Sequence, residues 1–283
     1  MKFRDCHHAR IPLILTLFLV GCATAPLTES GALSSYMNLK ASNGVFTRTR
    51  QKVDKDIVLA ARSVRLEPTQ ISPDAARSGL TPAQLALVSN ALDRALCSGL
   101  SRRFSLVAAH QAADLTVRAV ITHIGLTDMT SAGISKGLSI GGTVVSATTG
   151  VPVPVPRLPF GLGALSVEAE AKSTAQQPIA AMAWARGADI LTTKTRVAKE
   201  ADAYALAKEF AADFARFLLT GTDPINEGMP SLMTAAEVGE FFGAKPRQAA
   251  CEQFGPNPGL NDAIGGAIGL PPAWTDKGAS TQR

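Results

Sequence analysis

Histidine, cysteine and the aromatic residues are scarce in this chain, and each shortage removes a class of chemistry. There are four His, four Cys, two Trp and two Tyr in 283 residues. Two of the histidines, His7 and His8, lie in the first ten residues, which leaves His110 and His123. No Cys-x-x-Cys or His-Glu-x-x-His spacing occurs, so no metal centre is implied. No Gly-x-Gly-x-x-Gly or Gly-x-x-x-x-Gly-Lys-[Ser/Thr] loop is present to cradle a phosphate, so no cofactor is implied. One catalytic pattern appears, Gly133-Ile134-Ser135-Lys136-Gly137. A nucleophile elbow needs a strand before the serine, a helix after it and a histidine downstream. No histidine lies downstream of Ser135. No catalytic residue is assigned, and a non-enzymatic protein is expected.

The chain also lacks a run of about 20 apolar residues, the length that spans a bilayer as a helix. What stands at its start is shorter. Lys2, Arg4 and Arg10 precede an uncharged, mostly apolar stretch, Ile11–Val20. This is the layout of a secretory signal. It runs into Leu19-Val20-Gly21-Cys22, which resembles the lipid box of bacterial lipoproteins. That resemblance implies removal of residues 1–21 and lipidation of Cys22. Ala23, rather than Asp, implies an outer-membrane address facing the periplasm. The membrane is therefore an expected partner, through the N-terminal lipid.

Of the formal charge of +5, two units belong to the signal (Lys2, Arg4 and Arg10 against Asp5) and +3 remains. Such a small excess does not argue for nucleic acid. The basic run "RTRQKVDKD", with Arg48, Arg50, Lys52 and Lys55, is read as a solvated, mobile surface segment. Once Cys6 leaves with the signal and Cys22 takes lipid, Cys97 and Cys251 remain. In an oxidising compartment they form a candidate disulfide. The competing reading is two separate buried thiols.

Residues 22–50 read as a lipidated tether and docking segment, with Tyr36 and Leu39 as anchors. Residues 51–220 form the expected α+β domain. A strand is predicted over Ile57–Leu66. The helix that follows has Thr81 as N-cap, Pro82 in the first turn and Gln84 completing a capping box. Its apolar stripe is Leu85, Val88, Leu92, Leu96 and Leu100. "FSLVAA" and "DLTVRAVITHI" read as strands. "ALSVEAEAK" alternates, placing Leu165, Val167, Ala169 and Ala171 on one face. Ser166, Glu168, Glu170 and Lys172 take the other, expected to be solvated. "STAQQP" turns into a strand holding Trp184. A second amphipathic helix carries Tyr204, Ala207, Phe210, Ala211, Phe214 and Phe217/Leu218 inward. The predicted fold is a mainly antiparallel sheet with two amphipathic helices on one face, a two-layer sandwich.

Two regions stand apart. The Gly/Pro-rich insert 125–163 contains "GLSIGGTVVSATTGVPVPVP", twenty uncharged residues broken by four Gly and three Pro. It is read as a surface loop with a Val-Pro arm or, alternatively, a hairpin turning at Gly141-Gly142. Gly137, Gly141, Gly142, Pro152, Pro154 and Pro156 are its candidate contact surface. The extended C-terminal tail, 221–283, has one expected helical patch near Ala235–Phe242. It is either draped over the domain and held through Cys251, or largely disordered.

Taken in order, the lipid box at Cys22, "SGALSSYMNLK" at Ser30–Lys40, "IVLAARSVRLEP", "ADLTVRAVITHI", "GALSVEAEAKS", "AAMAWARGAD" and the closing helix to Leu219 resemble an uncharacterised bacterial envelope lipoprotein family, domain of unknown function 3313. The resemblance covers about Cys22–Thr220. It departs at Gln176-Gln177-Pro178, where the family has a Thr-Gly-Glu turn, and in the insert and tail. It implies an envelope lipoprotein and supplies no catalytic residues. The expected function is a periplasm-facing assembly or interaction module, with another envelope protein or a second copy as partner. The alternatives are a small-ligand or lipid-binding carrier, and a subunit of an oligomeric secretion channel.

Overall fold

The computed structural model describes residues 25–27, 29–138, 160–190, 192–225, 239, 242 and 245–277. Cys22, Gly141, Gly142, Pro152, Pro154, Pro156 and nearly all of the expected 235–242 patch lie outside them.

The fold is α+β, built on one eight-stranded sheet. Its strands are β1 (Lys40–Asn43), β2 (Thr47–Val53), β3 (Ser63–Leu66), β4 (Gln70–Ile71), β5 (Ser105–Val107), β6 (Leu115–Gly125), β7 (Ala164–Ser173) and β8 (Pro178–Gly187). The order across the sheet is β1-β2-β8-β7-β6-β3-β5, with β4 also paired to β6. The sheet is mixed, antiparallel along its longer strands and parallel only where the short strands β3, β4 and β5 pair. The β1-β2, β2-β8, β8-β7 and β7-β6 pairs are antiparallel. Those of β3 with β5 and β6, and of β4 with β6, are parallel. The reason is a crossover. Between β3 and β5 the chain passes through a long helix, and a strand–helix–strand connection returns parallel.

That helix is α3 (Pro82–Leu100), preceded by α1 (Lys55–Ala60) and α2 (Pro73–Ala76). Thr81 caps α3, and the Gln84 side chain closes the capping box. Residues 129–138 form α4. Then come α5 (Ala201–Thr220), the 3-10 turn Ala249–Phe254, α6 (Gly259–Ile268) and α7 (Pro272–Thr275).

Helices α3 and α5 pack together over one face of the sheet. Val88, Leu92, Leu96 and Leu100 of α3 meet Phe210, Phe214 and Leu218 of α5 and the inward residues of β6, β7 and β8 in one core. Trp184 of β8 sits edge-on to Phe210, centroids 5.6 Å apart. Its indole N–H donates to Asp213 Oδ2 at 3.0 Å, so burying the ring leaves no orphan donor.

Three local expectations need correction. The first four residues of the predicted strand, 57–60, are helical, within α1 (55–60). Asp54 caps them by accepting from Ile57 N at 3.3 Å, and of these residues only Val58 is buried. The β-branched run was outweighed by an aspartate at the N-cap, and the strand begins only at Ser63. The basic run "RTRQKVDKD" is ordered: Arg48 to Val53 lie in β2, paired to β8, and Lys55 and Asp56 open α1, so it is not a mobile segment. The insert begins as helix: α4 includes Ile134, Ser135 and Lys136, residues that the hairpin reading makes an arm, and Gly137 is exposed on it. Ser135 thus lies within a helix, where no strand-to-helix elbow forms.

Candidate functional site

The face of the sheet away from α3 and α5 carries an unusual pair of rows. Along β8, Ala181, Ala183 and Ala185 point to this face. Opposite them on β7 stand Glu170, Glu168 and Ser166. Alanines leave a shallow trough beside the carboxylates, and residues 25–27 and 29–39 lie in it as a strap. Ala25 packs on Ala164 and Ala185. Leu33 packs on Ala181 and Ala183, with Leu27, Tyr36 and Leu39 around them.

The polar half of the contact converges on the two glutamates. Glu168 accepts from Ser30 N (2.9 Å), Ser30 Oγ (2.7 Å), Ala32 N (3.1 Å) and the Tyr36 hydroxyl (2.5 Å). Tyr36 Oη in turn accepts from Gly31 N at 2.8 Å. Glu170 accepts from Ser34 N (2.9 Å) and Ser34 Oγ (3.1 Å), and pairs with Arg118 and Lys172, each at 3.1 Å. Arg118 also donates to the Ala32 carbonyl. Farther out, Ser166 Oγ donates to Pro26 O, Arg48 to Ala25 O, and Arg50 pairs with Glu29.

Glu168 and Glu170 are 2% and 1% exposed. This overturns the expectation of a solvated face. A strap 132 to 138 residues earlier in the chain covers them. A buried carboxylate is tolerable only when its lone pairs are filled, and here backbone and hydroxyl donors fill them. Burial pushes the Glu170 carboxyl up, but the Ser34 backbone N–H, Lys172 and the Ser34 hydroxyl outweigh it, and the group is held below the usual carboxylate range. Tyr36 is pushed up, by burial first and then by its bond to Glu168. Tyr36 and Leu39 therefore sit against the domain as anchors of the strap.

The helix face has its own cover, the chain from 245 to 277. Cys97 of α3 and Cys251 form a disulfide across 154 positions. Gln248 side-chain atoms bond Leu106 N and Phe104 O. Asp276 forms an ion pair with Arg94 and accepts from Tyr204 Oη at 2.9 Å. Asp262 holds Arg196 at 2.5 Å and Lys208 at 2.6 Å. Burial opposes ionisation of Asp262, but Lys208 and Arg196 beside it hold its pKa down to about 2.

Two cavities open at the margins. One, of about 340 Å³, is lined by Lys194, Arg196, Lys208, Glu209 and Asp262. The other, of about 510 Å³, lies between the β1-β2 hairpin and the end of α5, lined by Lys40, Gln51, Phe217 and Asp223. Gln51 is buried there, and its Oε1 has no hydrogen-bond partner. Among the described residues no group of three metal-ligating side chains occurs, and no helix is long and apolar enough to cross a membrane.

With the strap and the sheet in place, relatives can be compared. The family described as "Protein of unknown function (DUF3313)" matches residues 28–214, from the strap to the last turns of α5. The chain belongs to this DUF3313 family. The match includes strap residues from 28 onward, both glutamates and the core, and stops before the tail. Among curated proteins none matches the chain. Solved structures similar to it include two of PelC. The PelC dodecamer from Paraburkholderia phytofirmans is 10% identical, covering 62% of this chain and 97% of PelC with a TM-score of 0.36. A leucine-to-methionine variant of the PelC dodecamer from the same organism is 11% identical over the same shares, with a TM-score of 0.35.

Proposed function

We propose that this DUF3313 protein is an outer-membrane-anchored, periplasm-facing lipoprotein whose domain is a non-enzymatic envelope assembly or interaction module. The observation that carries the reading is the strap. The segment that begins three residues after the lipid-box cysteine is folded onto the domain by two buried carboxylates. Such a segment serves to hold a domain at its anchor. Glu168, Glu170, Asp262 and Asp276 are all engaged in holding the chain's own ends, which supports a role without catalysis. The test is Cys22→Ala in cells. Loss of palmitate incorporation and release from the membrane fraction are expected. Unchanged labelling and fractionation would sink the anchor. Crosslinking in cells from exposed positions such as Gly137 then identifies the partner, and labelling of no envelope protein and no second copy would sink the interaction module.

One observation favours a second reading, a small-ligand carrier. The cavity at Gln51 holds an unpaired, buried amide oxygen beside Lys40, and that lining suits a polar ligand rather than an acyl chain.

A further inference from the structure

Helix α6 is packed inside out. Its buried residues are Gly259, Gly265 and Gly266, while Leu260, Ile264 and Ile268 are exposed, the last two at 53% and 54%. A surface helix ordinarily turns its aliphatic stripe to the core. Here positions i, i+4 and i+8 face outward, and the glycine face lets α7 lie close: a Cβ on Gly265 would collide with the Thr275 methyl, and Gly266 sits against Arg196. Trp274 of α7, beside this helix, is 64% exposed. The patch continues onto α4. The Lys136 side chain donates to Ala267 O at the end of α6, and from the same helix Ile134 and Leu138 are exposed.

The patch lies at a definite end of the molecule. Helix α4 follows the end of β6 at Gly125, whose partner across the sheet is Ala164, the first residue of β7. Arg196, which leads into α5, donates to Leu270 O just past α6. Ala25, the first described residue of the strap, packs on that same Ala164. Cys22 is three residues before Ala25, and three extended residues reach about 10 Å. Exposed Lys194, Lys199 and Lys277 also lie at this end, with Asp128 as an exposed acid among them.

From these placements we infer that the α4–α6–Trp274 surface is a membrane-contact face, lying on the lipid leaflet that holds the Cys22 anchor. The inference rests on the anchor proposed above, since the short leash brings this end of the domain to the bilayer. The chemistry matches an interfacial surface. Aliphatic side chains enter the acyl boundary, an indole takes the headgroup level, and lysines meet anionic headgroups. The glycine-inward packing of α6 follows, because its aliphatic stripe faces lipid instead of core.

The test uses the full acylated protein in vesicles of phosphatidylethanolamine and phosphatidylglycerol, with acyl chains brominated or plain. Trp274 emission is read as the difference between the unchanged protein and Trp274→Phe, since Trp184 is buried in the core. Quenching of at least about twofold by bromine is expected. The pair Ile264→Ser and Ile268→Ser, both exposed and so harmless to folding, should remove most of it. Acylated protein whose Trp274 is unquenched overturns the membrane face while leaving the anchor intact. Mass analysis showing no acyl chain on Cys22 overturns the anchor, and this inference with it. A dimer in which Trp274 is shielded without lipid overturns it in favour of a second copy.

Discussion

The two ends of the chain cover opposite faces of one sheet by different means. The strap at 25–27 and 29–39 is held by hydrogen bonds from its own amides and hydroxyls to glutamates that belong to the sheet. The tail at 245–277 is held by a disulfide and by buried ion pairs in which each end supplies a charge. Half of the strap's bonds to the glutamates come from backbone amides, which any residue supplies, and the rest from the hydroxyls of Ser30, Ser34 and Tyr36. A buried ion pair fails when either partner is lost. The family match includes most of the strap and stops short of the tail. The strap from residue 28 thus lies within the family match, and the tail lies outside it, locked by specific side chains.

That contrast is open to direct attack. The largest effect should come from Cys251→Ala, which opens a loop of 154 positions. A loss of about 4 kcal/mol in urea unfolding is expected, near the top of the usual range for a disulfide closing a long loop. Both cysteines of the unchanged protein should stay unlabelled by a thiol reagent after denaturation without reduction. Next, Asp276→Ala strands Arg94, whose side chain is 8% exposed, without its partner. The cost should be about 3 kcal/mol, the low end for a broken buried pair, since a lifted tail lets water reach the guanidinium. A change under about 1 kcal/mol would show that the tail is not held by charge.

Acid should loosen both covers. The folded pKa of Asp262 is depressed to about 2 from 3.8, so its contribution is complete above about pH 4 and is lost as pH falls toward 2. That contribution is on the order of 2 kcal/mol. Glu170 is also depressed, so the strap weakens in the same direction. Proteolysis of the tail and of the strap, followed from pH 5 to pH 2, should report both losses. A tail that resists equally at pH 2 would break this account. The smallest effect is Tyr36→Phe, which removes one of four donors to Glu168. About 1 kcal/mol and faster amide exchange at Gly31 and Ala32 are expected. An unchanged exchange pattern would mean that the strap does not depend on this hydroxyl.

Local signals in the sequence served well where one element decides its own shape. The Thr81–Gln84 capping box and the stripe of α5 each rest on residues three or four positions apart, and both appear in the structure. The β7–β8 hairpin likewise turns at Gln176, which takes the positive φ that the tight turn needs. Signals failed where a distant segment decides. Glu168 and Glu170 alternate with apolar residues whether their face meets water or the strap, so the pattern could not tell the two apart. The clue, visible only in retrospect, is the row Ala181, Ala183, Ala185 on the neighbouring strand, too small for a face meant to stay bare. The parallel half of the sheet was missed because β4 and β5 are two and three residues long, too short to show a period. In α6 the periodicity was present, but periodicity does not say which side is in.

The proposed anchor at Cys22, three residues before the strap, would have a consequence for how the molecule meets others. With the proposed lipid on Cys22, and Ala25 seated on the sheet, the domain would have almost no room to swing. It would move as a low raft sliding in two dimensions, at fixed height and with one end always down. A partner deeper in the periplasm would have to come to it, and two such rafts would meet edge to edge, already in matching orientation.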